Sequence, residues 1–166
     1  MLVVDIGVFL LLLFWGKHSL ALGLPLFSFW SFLTGIELAL CLISIDENIG
    51  AKILAITACI TGITASYGFY TSSDLSYLGP ILFVALCILL AGNILRLIIS
   101  IPRPMQRIWA FGGCIIFSLY LIYDFNRLAK DNELVEKNTW PEAMDFAIHI
   151  YLDIINLFLE LLDAMG

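Results

Sequence analysis

The stretch LSYLGPILFVALCILLAGNILRLII, residues 75–99, carries a single charged side chain, Arg96. A helix crosses the ~30 Å hydrocarbon core of a bilayer in about 20 mostly apolar residues, so this segment reads as a membrane span. Further apolar runs occupy residues 2–16, 19–44, 50–70, 105–126 and 141–162. These runs are continuously apolar, whereas the strands of a membrane β-barrel alternate over about ten residues. The expected fold class is therefore all-α: a polytopic transmembrane helix bundle of about six spans, with residues 1–166 forming a single domain.

Composition supports lipid as the solvent. Hydrophobic residues make up 61% of the chain and charged residues 13%, with a mean hydropathy of +1.01. Soluble domains carry about 25% charged residues, and a small globule has too little interior to hide so apolar a surface from water. The net charge of −6 comes from acids and bases placed mainly in loops, without a basic stripe, so nucleic acid is not an expected partner. Cys41, Cys59, Cys87 and Cys114 each sit inside an apolar run with no CxxC spacing. That pattern supports neither a zinc site nor a thiol-redox motif and predicts ordinary buried helix cysteines. The first run lacks a basic leader and a small-residue cleavage site, so it reads as part of the bundle and not as a signal peptide.

The breaks between runs have local causes. Thr71-Ser72-Ser73-Asp74 forms a polar turn in which Ser73 or Asp74 can cap the next helix. Pro102 and Pro104 stop helix propagation, because each lacks an N–H and restricts its predecessor. Residues 127–138 are the one extended hydrophilic stretch, after which Thr139, Pro141 and Glu142 compose a helix start. With alternating loops, Lys17, Arg127, Lys130 and Lys137 fall on one side and Lys52, Arg96, Arg103 and Arg107 on the other. This even division leaves the positive-inside rule without a preference.

Acids inside spans single out candidate functional positions. On insertion scales an Asp at a helix centre costs roughly 2.5–3.5 kcal/mol, so such residues face protein or a wet cavity. Asp5 belongs near a membrane edge. Glu37 sits deep in the second run, on the face of Leu33 and Cys41, where a protonated carboxyl bonded to a neighbouring helix would also serve. Asp124 ends its run, where an interfacial acid would be unremarkable. Asp153 stands in the middle of Ile150-Tyr151-Leu152-Asp153-Ile154-Ile155-Asn156-Leu157-Phe158, where packing alone does not explain it. His149, Asp153 and Asn156 share one helical face. If Asp124 meets Asp153, two carboxylates in low dielectric resist simultaneous ionisation and share a proton near neutral pH. Losing that proton makes them repel or recruit a cation, and calcium prefers carboxylate and carbonyl oxygens. His149 can add a second switchable charge or serve as a plain hydrogen-bonding side chain.

The segments Tyr120-Leu121-Ile122-Tyr123-Asp124 and Tyr151-Leu152-Asp153-Ile154-Ile155-Asn156-Leu157-Phe158-Leu159, followed by Leu161-Leu162 and Gly166, resemble the signature of the Bax inhibitor-1 family, the transmembrane Bax-inhibitor-motif superfamily. Asp74-Leu75-Ser76-Tyr77-Leu78-Gly79 resembles its turn between two helices, and Thr34-Gly35-Ile36 also fits. The resemblance covers nearly the whole chain. It implies a seven-helix fold with the last helix central, and a proton-sensitive calcium leak gated by an aspartate pair, here Asp124 and Asp153. Those two would also be the transient calcium ligands. In bacterial relatives a basic residue after the family's second helix pairs with the first aspartate, a role that Phe14-Trp15-Gly16-Lys17 offers to Lys17. Asn156, His149 and Glu37 remain candidates for tuning. The family has seven spans and this chain has room for about six, the difference corresponding to the family's first helix and N-terminal tail. The acidic last turn, residues 160–166, lacks the basic tail of many eukaryotic members and points to a bacterial inner membrane over a eukaryotic endomembrane.

The expected function is thus a pH-sensitive calcium (cation) leak, with the bilayer, calcium and protons as partners and no cofactor. The alternative is a non-conducting regulator of stress, cell death or membrane proteases that works by binding membrane proteins, with a homo-oligomer as a further expectation. An enzyme is not expected. No Ser-His-Asp arrangement, HExxH or glycine-rich phosphate loop is present, and the motifs of intramembrane aspartyl proteases are only half matched by Tyr123-Asp124.

Overall fold

The computed structural model describes residues 2–16, 19–133 and 139–166. Six helices follow in order: α1 (Leu2–Trp15), α2 (Leu20–Ile43), α3 (Glu47–Tyr70), α4 (Leu78–Ile98), α5 (Arg103–Glu133) and α6 (Trp140–Met165). No strand occurs among the described residues. Four of the helices, α2 to α5, are long and apolar enough to cross a membrane. α1, at 14 residues, rises only about 21 Å, short of the ~30 Å hydrocarbon core. α6 carries Glu142, Asp145, Asp153, Glu160 and Asp163, too many acids for a lipid-facing span.

Local chemistry sets the helix limits. Ser19 accepts from the Leu22 N–H at 3.3 Å, and Asp46 accepts from the Asn48 N–H at 2.9 Å. The Asp46 cap starts α3 at Glu47, three residues before its apolar run. α4 starts at Leu78, three residues later than the sequence predicts, because Asp74 does not cap it. Its carboxylate instead accepts from the Ser76 N–H at 3.0 Å and from the Ser76 hydroxyl, closing a local turn. Pro102 and Pro104 flank the start of α5, as a helix N-terminus tolerates. That helix continues to Glu133, well beyond the apolar run that reveals it, so Asp124 lies inside it and not at its end.

α6 occupies the interior. Its Leu157, Phe158 and Leu161 join Ile53 of α3, Leu89 of α4 and Phe117 and Leu121 of α5 in one buried core. Its Met144 and Ile148 join Val8 and Leu12 of α1 and Trp30 of α2 in another. Trp30 also stacks with Phe9 and meets Tyr151 edge-on at ring centroids 5.0 Å apart. The Trp140 indole donates to the Gly16 carbonyl at 3.2 Å, and the Tyr151 hydroxyl to the Ser31 carbonyl at 3.3 Å. The outer faces of the apolar helices stay open, with Phe32, Ile63, Phe83 and Ile108 all exposed. In water such a surface would aggregate, whereas lipid covers it at no cost. The cysteines differ from expectation for the same reason: Cys114 is buried, but Cys41, Cys59 and Cys87 lie on these outer faces, where a thiol is as compatible with lipid as with a core.

Candidate functional site: a buried aspartate pair

Asp124 of α5 and Asp153 of α6 are brought together. Both are buried, at 3% and 8% exposure, line one cavity, and act electrostatically on each other across the two helices. A carboxyl–carboxyl hydrogen bond needs one proton between the two groups. Asp153 Oδ2 is buried with no hydrogen-bond donor facing it. An acid so placed is expensive to keep unless something occasionally meets it.

The pair opens onto a cavity of about 490 Å³ between α4, α5 and α6, lined also by Tyr120, Tyr123, Arg127, His149 and Asn156. The expected polar face of α6 therefore exists: His149, Asp153 and Asn156 all line it. His149 is half exposed and stands 4.0 Å from Asp145, one turn away. Arg127 lies over the Phe146 ring at 5.1 Å, and it and His149 both act electrostatically on Asp124. Glu37 is half-buried on α2 and does not line this cavity. Lys17 and the Asp5 side chain lie outside the described residues.

Asn126, two residues beyond Asp124, was not singled out from the sequence. Its amide nitrogen faces the carbonyls of Gly68, Thr71 and Ser73 at 3.3–3.5 Å, and its oxygen accepts from the Leu75 N–H at 3.3 Å. Lys130, one turn on, donates to the Ser73 carbonyl at 3.1 Å and pairs with Asp74 at 3.2 Å. Together they pin the α3–α4 turn to α5 beside the acid pair. Hydrogen bonds from Ser76, and then Lys130, hold the fully exposed Asp74 carboxyl down at about 2. A buried Asn near a helix end is the one signal that could have revealed this role.

Chemically the pair can hold a proton or, deprotonated, attract a cation. Among the described residues no group of three or more His, Cys, Asp or Glu side chains converges as a metal cage. Calcium takes 6–8 oxygens, so a calcium ion here would keep much of its water.

A multi-pass helical membrane protein with a buried aspartate pair between its last two helices is the class that fold and site define. The family described as "Inhibitor of apoptosis-promoting Bax1" matches residues 1–166, and the chain belongs to it. An uncharacterised protein of Helicobacter pylori strain 26695 is 29% identical over 150 residues, covering 87% of this chain and 62% of the relative. The inner membrane protein YbhL of Escherichia coli K12 is 30% identical over 156 residues, or 90% of this chain and 65% of YbhL. Protein LIFEGUARD 3 of Arabidopsis thaliana is 37% identical over 92 residues, which cover 55% of this chain and 35% of that protein. The chain thus spans less than two thirds of the length of these relatives.

Proposed function

We propose that this protein is a pH-sensitive cation leak, with calcium as its cargo and Asp124 and Asp153 as the gate, resident in a bacterial inner membrane. The observation that carries the reading is the burial of both carboxylates against one cavity, with Asp153 Oδ2 met by no hydrogen-bond donor. With one shared proton, the pair holds α5 and α6 together. Without it, two like charges in contact either separate the helices or take up a cation between them. Arg127 tunes the balance by adding positive charge beside Asp124, and His149 and Asn156 offer an imidazole and an amide on the same face. The similarity to YbhL, named as an inner membrane protein, supports the location.

Asp153→Asn tests this against a regulator that works by binding alone. The substitution keeps shape and hydrogen bonding but removes the charge. The 166-residue chain in liposomes should lose the pH response of its calcium flux. A variant indistinguishable from the wild type in flux and pH response would leave the binding role as the better reading.

A further inference from the structure

The acid-pair cavity shares lining residues with others in a chain. Asn156 lines it and also lines a second polar cavity of about 260 Å³, shared with Asn93, Arg96, Glu160 and Asp163. Asp163 in turn lines a third, of about 190 Å³, with Arg103, Gln106 and Arg107 at the start of α5. Residue order agrees along all three helices: from the first cavity to the later ones, α4 runs from Gly79 to Arg96, α5 back from Arg127 to Arg103, and α6 from His149 to Gly166. The 17 residues from His149 to Gly166 rise about 25 Å at 1.5 Å each, most of the ~30 Å hydrocarbon thickness.

Two features of this track are unlike core packing. Glu160 is buried at 8% exposure, lines the second cavity with Asn93, and faces Gly113 of α5, where any Cβ would collide with its carboxyl group. A glycine thus clears space for an acid in the bundle. Arg96 of α4 lines the second cavity and meets Asn93 at 3.3 Å and, at 2.5 Å, Asp163 of α6, which lines both the second and the third. At the opposite end stands Asp153 Oδ2, met by no hydrogen-bond donor.

We propose that these cavities are one cation path, and that the Arg96–Asp163 ion pair is a second gate in series with Asp124–Asp153. Glu160 is the carboxylate that a hydrated divalent cation meets between them. Closed, the pair sets a fixed positive charge across the path and neutralises Asp163. Open, it leaves Asp163 and Glu160 facing the cation as oxygen ligands. This rests on the leak reading above.

The test is calcium influx at fixed pH into dye-loaded liposomes carrying the 166-residue chain as wild type, Arg96→Gln, the charge swap Arg96→Asp/Asp163→Arg, or Arg96→Gln/Glu160→Gln. A second readout follows Asn156→Cys, with the four native cysteines replaced by Ala, reacting with a charged, membrane-impermeant thiol reagent. Arg96→Gln should raise influx severalfold and speed the labelling of position 156. The charge swap should bring both back toward wild type, and Glu160→Gln should lower the raised influx. If wild-type flux responds to pH while Arg96→Gln changes neither influx nor labelling, the second gate is overturned and the leak stands. Absence of flux from the wild type and every variant overturns the leak and the gate together.

Discussion

Gly68 of α3 lies against the backbone carbonyl of Ile122 in α5, so closely that no Cβ could be placed between them. This contact brings the two backbones together two residues before Asp124 and fixes α5 where it meets α6. The neighbouring atom is backbone and cannot swing aside. Gly68→Ala should therefore push the helices apart, at a cost of about 1–3 kcal/mol. Thermal unfolding in detergent should show a lower midpoint, and the pH response of any flux should weaken with it.

Asn126 reaches three carbonyls and one N–H of the α3–α4 turn from a site 3% exposed. Asn126→Leu keeps much of the volume but strands those backbone groups, each a loss of about 1–3 kcal/mol when left unpaired. Water at the membrane edge offsets part of this. The expected result is faster proteolysis within residues 71–77, with the helix content measured by circular dichroism unchanged.

Asp74 gives a pH prediction with a definite sign. Its folded value of about 2 lies below its ordinary 3.8, so its contribution is full above 3.8, falls away as pH drops below that, and is gone once pH has passed through 2. The turn is therefore insensitive to pH across the neutral range. Asp74→Asn should leave the pH profile of flux in place, and a lost profile would move the sensor from the acid pair to this turn.

Helix class and most helix starts were legible because apolar runs, prolines and capping side chains act locally. The extent of α5 was not: Arg127 to Glu133 is hydrophilic, yet it continues the helix and carries Lys130 to Ser73 and Asp74. Asp124 consequently looked interfacial from the sequence, although α6 buries it. The pairing of Asp124 with Asp153 followed from the family resemblance, since periodicity on one helix cannot say which neighbour its polar face meets. The shared face of His149, Asp153 and Asn156 was readable from spacing alone. Arg96, Glu160 and Asp163 were passed over because their meaning depends on α4 and α6 lying side by side.

On the proposed leak reading, calcium competes with a proton shared by the pair for the same oxygens, so calcium binding should release protons. Apparent affinity should then rise with pH, by up to about tenfold per pH unit where one proton is displaced. Calorimetry in two buffers of different ionisation enthalpy would count the proton. Both Asp124→Asn and Asp153→Asn should abolish the release, while Glu37→Gln, away from the cavity, should leave it intact.

The most direct measurement is calcium flux through the reconstituted 166-residue chain between roughly pH 6 and 8, a window into which burial and a neighbouring like charge can raise a carboxyl group, beside Asp124→Asn and Asp153→Asn. The aspartate gate predicts a flux that changes with pH in the wild type and loses that change in both variants. A flux whose pH dependence survives either substitution, or well-folded protein that conducts nothing at any pH, would contradict it.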